Sequence, residues 1–213
     1  MKIKICGLKQ PENIKAIAAF EPDYMGFICY NATPRYIDDL SANALDDIPA
    51  YVLKTGVFVN ENEENINRLI VNYNFDAIQL HGNESAGFCR LFKDKVIVIK
   101  AFGLYDSFNF TDLEQYKNAI HYFLFDTKTI IHGGSGKTFN WDILKDYKLD
   151  TPFFLSGGLS LDNLEEVMKI DHPQFYGVDL NSRFETEPGI KDIQKIKKAF
   201  DILRKTGTDE IRS

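Results

Sequence analysis

A chain of 213 residues, 44% hydrophobic and 26% charged, has the make-up of one well-packed globular domain and is too short for two comfortable ones. Its formal net charge of −6 argues against a nucleic-acid or anionic-membrane surface, since both want clustered Lys and Arg. No apolar run approaches the roughly 18 residues needed to span a bilayer, and the start, Met1 to Gly7, lacks a signal-peptide apolar region. Cys6, Cys29 and Cys89 are widely spaced and read as free thiols in a reducing compartment, so a cytoplasmic protein is expected.

The first predicted strand runs from Lys2 to Cys6, and Pro11 sits where a first helical turn would begin. Further strands are predicted to start near Tyr24, Tyr51, Asp76, Lys95, His121, Pro152 and Gln174, about 25 residues apart, the size of one βα module. Val96–Ile99 and Tyr122–Phe125 are continuous apolar runs, which suit parallel strands covered on both faces. Helical spacing joins Ile66, Leu69, Ile70 and Tyr73 in the third connection. It joins Leu161, Leu164, Val167 and Met168 in the seventh, with Ser160 as N-cap, and Ile193, Ile196, Phe200 and Leu203 in the eighth. Leu104–Asn118 is aromatic and poorly periodic, and gives the weakest helix. Eight such units predict an α/β protein, a single-domain (β/α)8 TIM barrel over residues 1–205 with a frayed polar tail at 206–213. An open doubly wound sheet is the rival; no G-x-G-x-x-G fingerprint follows the first strand, but periodicity by itself leaves both open.

Barrel enzymes draw their reactive groups from the C-terminal ends of strands. Those positions hold Cys6, Arg35, Asn60, His81, Lys100 and Asp126, then the glycine-rich run Gly133–Lys137, then Ser156-Gly157-Gly158 and Asp179–Arg183. Each has a bland reading: a small core filler for the cysteine, a turn or cap for the aspartate, a solvated charge for the arginine. Lys100 has to pair or reach the mouth, because an unpaired buried ammonium is costly. Together they are more pointed. A thiol and a carboxyl at one end of a barrel suit proton transfer next to a carbonyl or imine, with the cysteine as base if its pKa is modestly depressed and the aspartate as acid if burial keeps its proton. The small polar turns after the last two strands suit a phosphate.

The chain resembles the phosphoribosylanthranilate isomerases of the tryptophan pathway. The resemblance runs nearly end to end, through Lys4-Ile5-Cys6-Gly7-Leu8, Gly26-Phe27-Ile28, Thr33-Pro34-Arg35-Tyr36, Gly56-Val57-Phe58-Val59-Asn60 and Gln79-Leu80-His81-Gly82-Asn83-Glu84. It continues through Asp126, Gly133 to Trp141, Leu155-Ser156-Gly157-Gly158-Leu159, Gly177-Val178-Asp179-Leu180-Asn181-Ser182, Glu185, Pro188-Gly189 and Lys191-Asp192. It implies a (β/α)8 barrel without cofactor or metal that catalyses an Amadori rearrangement of a phosphoribosyl substrate, with Cys6 as general base and Asp126 as general acid. Arg35 would hold the anthranilate carboxylate. His81, Gly134, Ser135, Gly157, Gly158, Asn181, Ser182 and Arg183 complete the expected substrate-binding set. The expected partner is that small molecule, with no nucleic acid and no membrane; a monomer is the default and a dimer the alternative.

Two positions depart from the family pattern. Arg183 stands where glycine usually follows the serine of the eighth loop, and is expected to touch the phosphate. Asn140 stands where aspartate is common, and can still cap a helix. Other readings are a phosphosugar synthase or epimerase barrel, or a phosphosugar-binding barrel without catalysis. The synthase would want catalytic lysines, the epimerase metal-ligating histidines, and the presence of both Cys6 and Asp126 argues against the binder.

Overall fold

The computed structural model describes residues 1–38, 40–127 and 141–204. Eight parallel strands close in chain order: β1 (Lys2–Cys6), β2 (Tyr24–Ile28), β3 (Leu53–Phe58), β4 (Ala77–Leu80), β5 (Ile97–Leu104), β6 (Tyr122–Thr127), β7 (Phe153–Ser156) and β8 (Phe175–Leu180). The first and last pair in register, Lys4 opposite Asp179 and Ile5 opposite Leu180, so no open sheet edge remains. The barrel is the predicted fold, and the open sheet is excluded. Each strand starts within two residues of its predicted position.

Side chains alternate between the two faces of each strand. Tyr24, Ala77, Ile99, Ala101, Leu124 and Phe154 form a small apolar cluster inside the barrel, with Tyr122 and Tyr176 packed against it. The outward set, including Ile3, Ile5, Phe27, Phe58, Ile78, Leu80, Phe123, Phe125 and Leu180, builds the larger core beneath the surrounding helices. Above the inner apolar cluster the interior turns polar, with Lys4, Thr55, Gln79 and Asp179 all buried.

The connections are less helical than their periodicity predicts. True helices are α1 (Pro11–Ala18), α2 (Glu63–Tyr73), α3 (Ala86–Arg90), α4 (Leu164–Val167) and α5 (Ile193–Leu203). Ala42–Leu45, Phe110–Tyr116 and Trp141–Asp146 are 3-10 turns instead. In the fifth connection Phe102, Phe108, Phe110 and Tyr116 meet edge to face, and this ring packing sets the backbone path rather than helix propensity. In the seventh, Asn163 rather than Ser160 precedes the helix; its Oδ1 accepts from the Ser160 N–H (2.9 Å) and its amide donates to the Gly158 carbonyl (3.0 Å). No helix follows β8 directly. A 3-10 turn, Ser182–Phe184, leads into a hairpin of β9 (Glu185–Glu187) and β10 (Ile190–Lys191), and α5 starts after it, capped by the Asp192 carboxylate.

Candidate active site

Cys6, His81 and Asp126 stand at the C-terminal ends of β1, β4 and β6, as the sequence places them. The Cys6 thiol is almost fully buried. Two residues below it on the same face of β1, the buried Lys4 ammonium pairs with Asp179 Oδ1 at 2.9 Å. The Ser156 hydroxyl approaches Asp179 Oδ2 at 3.4 Å. Burial pushes the Cys6 thiol up from its ordinary value, Lys4 and Lys191 pull it back, and burial wins. The modest depression expected of this thiol is therefore not a property of the pocket by itself.

Asp126 is not deeply buried: its side chain is 28% exposed, against the burial expected of a proton-holding acid. His81 Nε2 lies 3.5 Å from its Oδ2, and the Gln79 amide nitrogen lies 2.9 Å from His81 Nδ1. If the Gln79 amide donates there, the ring proton sits on Nε2 and faces the carboxyl.

Arg35 does reach the mouth, but not as a free fork. Its Nε and Nη2 already engage both oxygens of Glu185, at 3.0, 3.1 and 2.6 Å. Glu185 also accepts from Lys191 Nζ (2.7 Å) and the Gly189 N–H (3.2 Å). Burial pushes this carboxyl up, yet Arg35, Lys191 and Gly189 outweigh it and hold it below its usual range. Lys191 Nζ donates further to Asn181 Oδ1 at 2.8 Å. Gly7, at φ +82°, packs against this group: a side chain there would come within 2.7 Å of Asn181 Oδ1 and 3.0 Å of Arg35 Cδ.

Of the predicted phosphate turns, Gly157 and Gly158 both take positive φ (84° and 65°), a conformation that glycine adopts without strain. Asn181 is drawn to Lys191, while Ser182 and Arg183 are exposed on the turn after β8. The Arg183 side chain makes no hydrogen bond or ion pair among the described residues. Gly134, Ser135 and Asn140 lie outside the described residues, as does the tail. Asn60 and Lys100 are structural: Asn60 Oδ1 takes the Asn83 N–H (2.7 Å), and Lys100 pairs with Glu84 (3.2 Å).

Lys4, Glu185 and Lys191 are not among the residues that strand-end position singles out. The signal was present for Lys4, a lysine flanked by Ile3 and Ile5 in an apolar strand, because a buried charge implies a partner. Lys191 and Glu185 lie on a hairpin with no helical or long-strand period to mark it.

Reactive groups gathered at the C-terminal end of a closed parallel barrel define an enzyme of the (β/α)8 class. The family model described as N-(5'phosphoribosyl)anthranilate (PRA) isomerase matches residues 3–202, and the chain belongs to this family of isomerases. It is 43% identical over 200 residues to an N-(5'-phosphoribosyl)anthranilate isomerase of Parabacteroides distasonis, covering 92% of this chain and 90% of that one. Among solved structures, the phosphoribosyl anthranilate isomerase of Thermotoga maritima superposes with TM-score 0.81 at 33% identity, covering 96% of this chain and 98% of that one. A further phosphoribosyl anthranilate isomerase, in complex with reduced 1-(o-carboxyphenylamino)-1-deoxyribulose 5-phosphate, superposes with TM-score 0.78 at 29% identity, covering 96% and 99%.

Proposed function

We propose that this isomerase converts N-(5-phosphoribosyl)anthranilate to 1-(2-carboxyphenylamino)-1-deoxyribulose 5-phosphate, in tryptophan biosynthesis, with Asp126 as general acid and Cys6 as general base. The observation that carries the reading is the family match over residues 3–202 together with these two groups at the mouth ends of β1 and β6. Asp126 protonates the ribose ring oxygen while the anilino nitrogen lone pair forms the C=N bond, and the ring opens. The Cys6 thiolate then removes the C2′ proton. The C–H pair becomes the C1′–C2′ double bond and the C=N pair returns to nitrogen, giving an enolamine that tautomerises to the ketone.

Binding has two anchors in this reading. The turns at Gly157-Gly158 and Asn181–Arg183 take the phosphate, with the exposed Arg183 adding a cation that a glycine would not. Arg35 takes the anthranilate carboxylate with the N–H groups left after Glu185 has claimed one edge of its fork. Fixing both ends of the substrate holds C2′ against the thiol, and such positioning removes a large part of a barrier. All the proposed groups come from one chain, so a monomer suffices.

The test follows anthranilate fluorescence as freshly made substrate is consumed. Cys6→Ser and Asp126→Asn are each expected to lose most turnover while remaining folded. Wild-type turnover in either variant removes that residue from the mechanism.

A further inference from the structure

The charged groups around the thiol come from several elements. Lys4 stands on β1, Asp179 on β8, Glu185 on β9, Lys191 on β10 and Arg35 in the loop after β2, while β2 itself presents only Gly26. Among the described residues this is three cations against two anions, so the surround carries one surplus positive charge. Lys4 is held by Asp179 as a close pair. Glu185 is shared between Arg35 and Lys191, and the surplus therefore belongs to that second group.

Of its two cations, Arg35 is part-exposed and faces the mouth, where an incoming carboxylate would neutralise it. Lys191 is fully buried and tied on two sides. Its partner Asn181 packs on Gly7, the residue next to the thiol. We propose that Lys191 is a positioning residue for the base, its buried ammonium supplying the positive charge against which the Cys6 thiolate forms.

The role rests on the reading of Cys6 as base. Lys191 touches no reacting atom in it; it acts through the thiol. Burial works against the Lys191 charge and Glu185 sustains it.

The experiment measures the pH profile of kcat/KM and the ultraviolet thiolate absorbance, the latter as the difference between each protein and its Cys6→Ser version. Lys191→Met is expected to move the acid limb and the thiolate titration to higher pH. Turnover near neutral pH falls roughly tenfold or more and recovers at alkaline pH. Lys191→Arg restores most of the loss. A uniform loss at every pH in Lys191→Met, or an unmoved thiolate titration, overturns the role. Should Lys191→Met fail to fold, Lys191→Gln is read in its place, and an unmoved thiolate titration there overturns the role. If Cys6→Ser keeps its turnover, the base assignment itself fails; if Cys6→Ser is dead and the titrations do not move, only the Lys191 role fails.

Discussion

Gly26 grips the Cys6 thiol from the neighbouring strand. A side chain there would put its first carbon 2.7 Å from Cys6 Sγ and 3.1 Å from Cys6 Cα, below any real contact distance in the first case. Neither the thiol nor the β1 backbone can yield freely, because Cys6 pairs with Gly26 in the sheet and both Gly7 and Leu8 donate to the Gly26 carbonyl. Gly26→Ala is therefore expected to displace the thiol by a sizeable fraction of an ångström. Turnover falls on the order of 100-fold, with about 1–3 kcal/mol lost from stability, read by the anthranilate assay and a urea midpoint. At the proposed phosphate end the expectation is milder. Arg183→Ala raises KM several-fold and leaves kcat nearly unchanged, because the side chain is exposed and holds up no other group; an unmoved KM removes Arg183 from the site. Cys6, His81 and Asp126 were legible because a strand end is a position that sequence can mark. The state of the thiol was not, because it depends on burial and on lysines brought in from β1 and from the distant hairpin.

Beneath His81 the β4 loop is held by a buried clamp. The Glu84 carboxylate accepts from the Asn60 N–H (2.8 Å) and the Gly82 N–H (2.9 Å) and pairs with Lys100. Lys100 donates in turn to the carbonyls of Leu80, Gly82 and Ala101. Both side chains are shut off from solvent, so removing one strands the other. Glu84→Ala is expected to cost about 3–5 kcal/mol, far more than an exposed pair, and to slacken the loop that carries His81. The double variant Glu84→Ala with Lys100→Met recovers part of that loss, and the coupling is read from a double-mutant cycle in urea. That Lys100 needs a partner follows from its place in an apolar strand. Which partner does not, since Glu84 belongs to the preceding unit and meets it only once the strands are side by side. The same limit explains the connections. Period 3.6 marked α2 and α5, whose apolar faces lie on the barrel, while the aromatic fifth connection follows ring-to-ring packing that leaves no period to read.

Closing the barrel brings the first and last strands together, and Cys6 sits on that seam. β1 pairs with β8, and the Asn13 side chain bonds both the N–H and the carbonyl of Lys191, at 2.8 and 2.9 Å, tying α1 to the hairpin. Glu185 is the ionised centre of the seam on the hairpin side, with its side chain only 4% exposed and two cations upon it. Its folded value lies below its unfolded one, so between the two values the unfolded chain binds the extra proton and stability rises with pH. The contribution is fully present above the ordinary glutamate range and drains away as pH falls through the folded value. Glu185→Gln cannot take up that proton. Its urea midpoint is expected to be lower than wild type near neutral pH and to fall less steeply on acidification, so the two curves converge in acid. Asn13→Ala, which leaves a buried N–H and carbonyl unpaired without changing any charge, is expected to lower the midpoint by a similar amount at every pH. Parallel acid slopes in wild type and Glu185→Gln would place the acid lability of the fold elsewhere than on this seam.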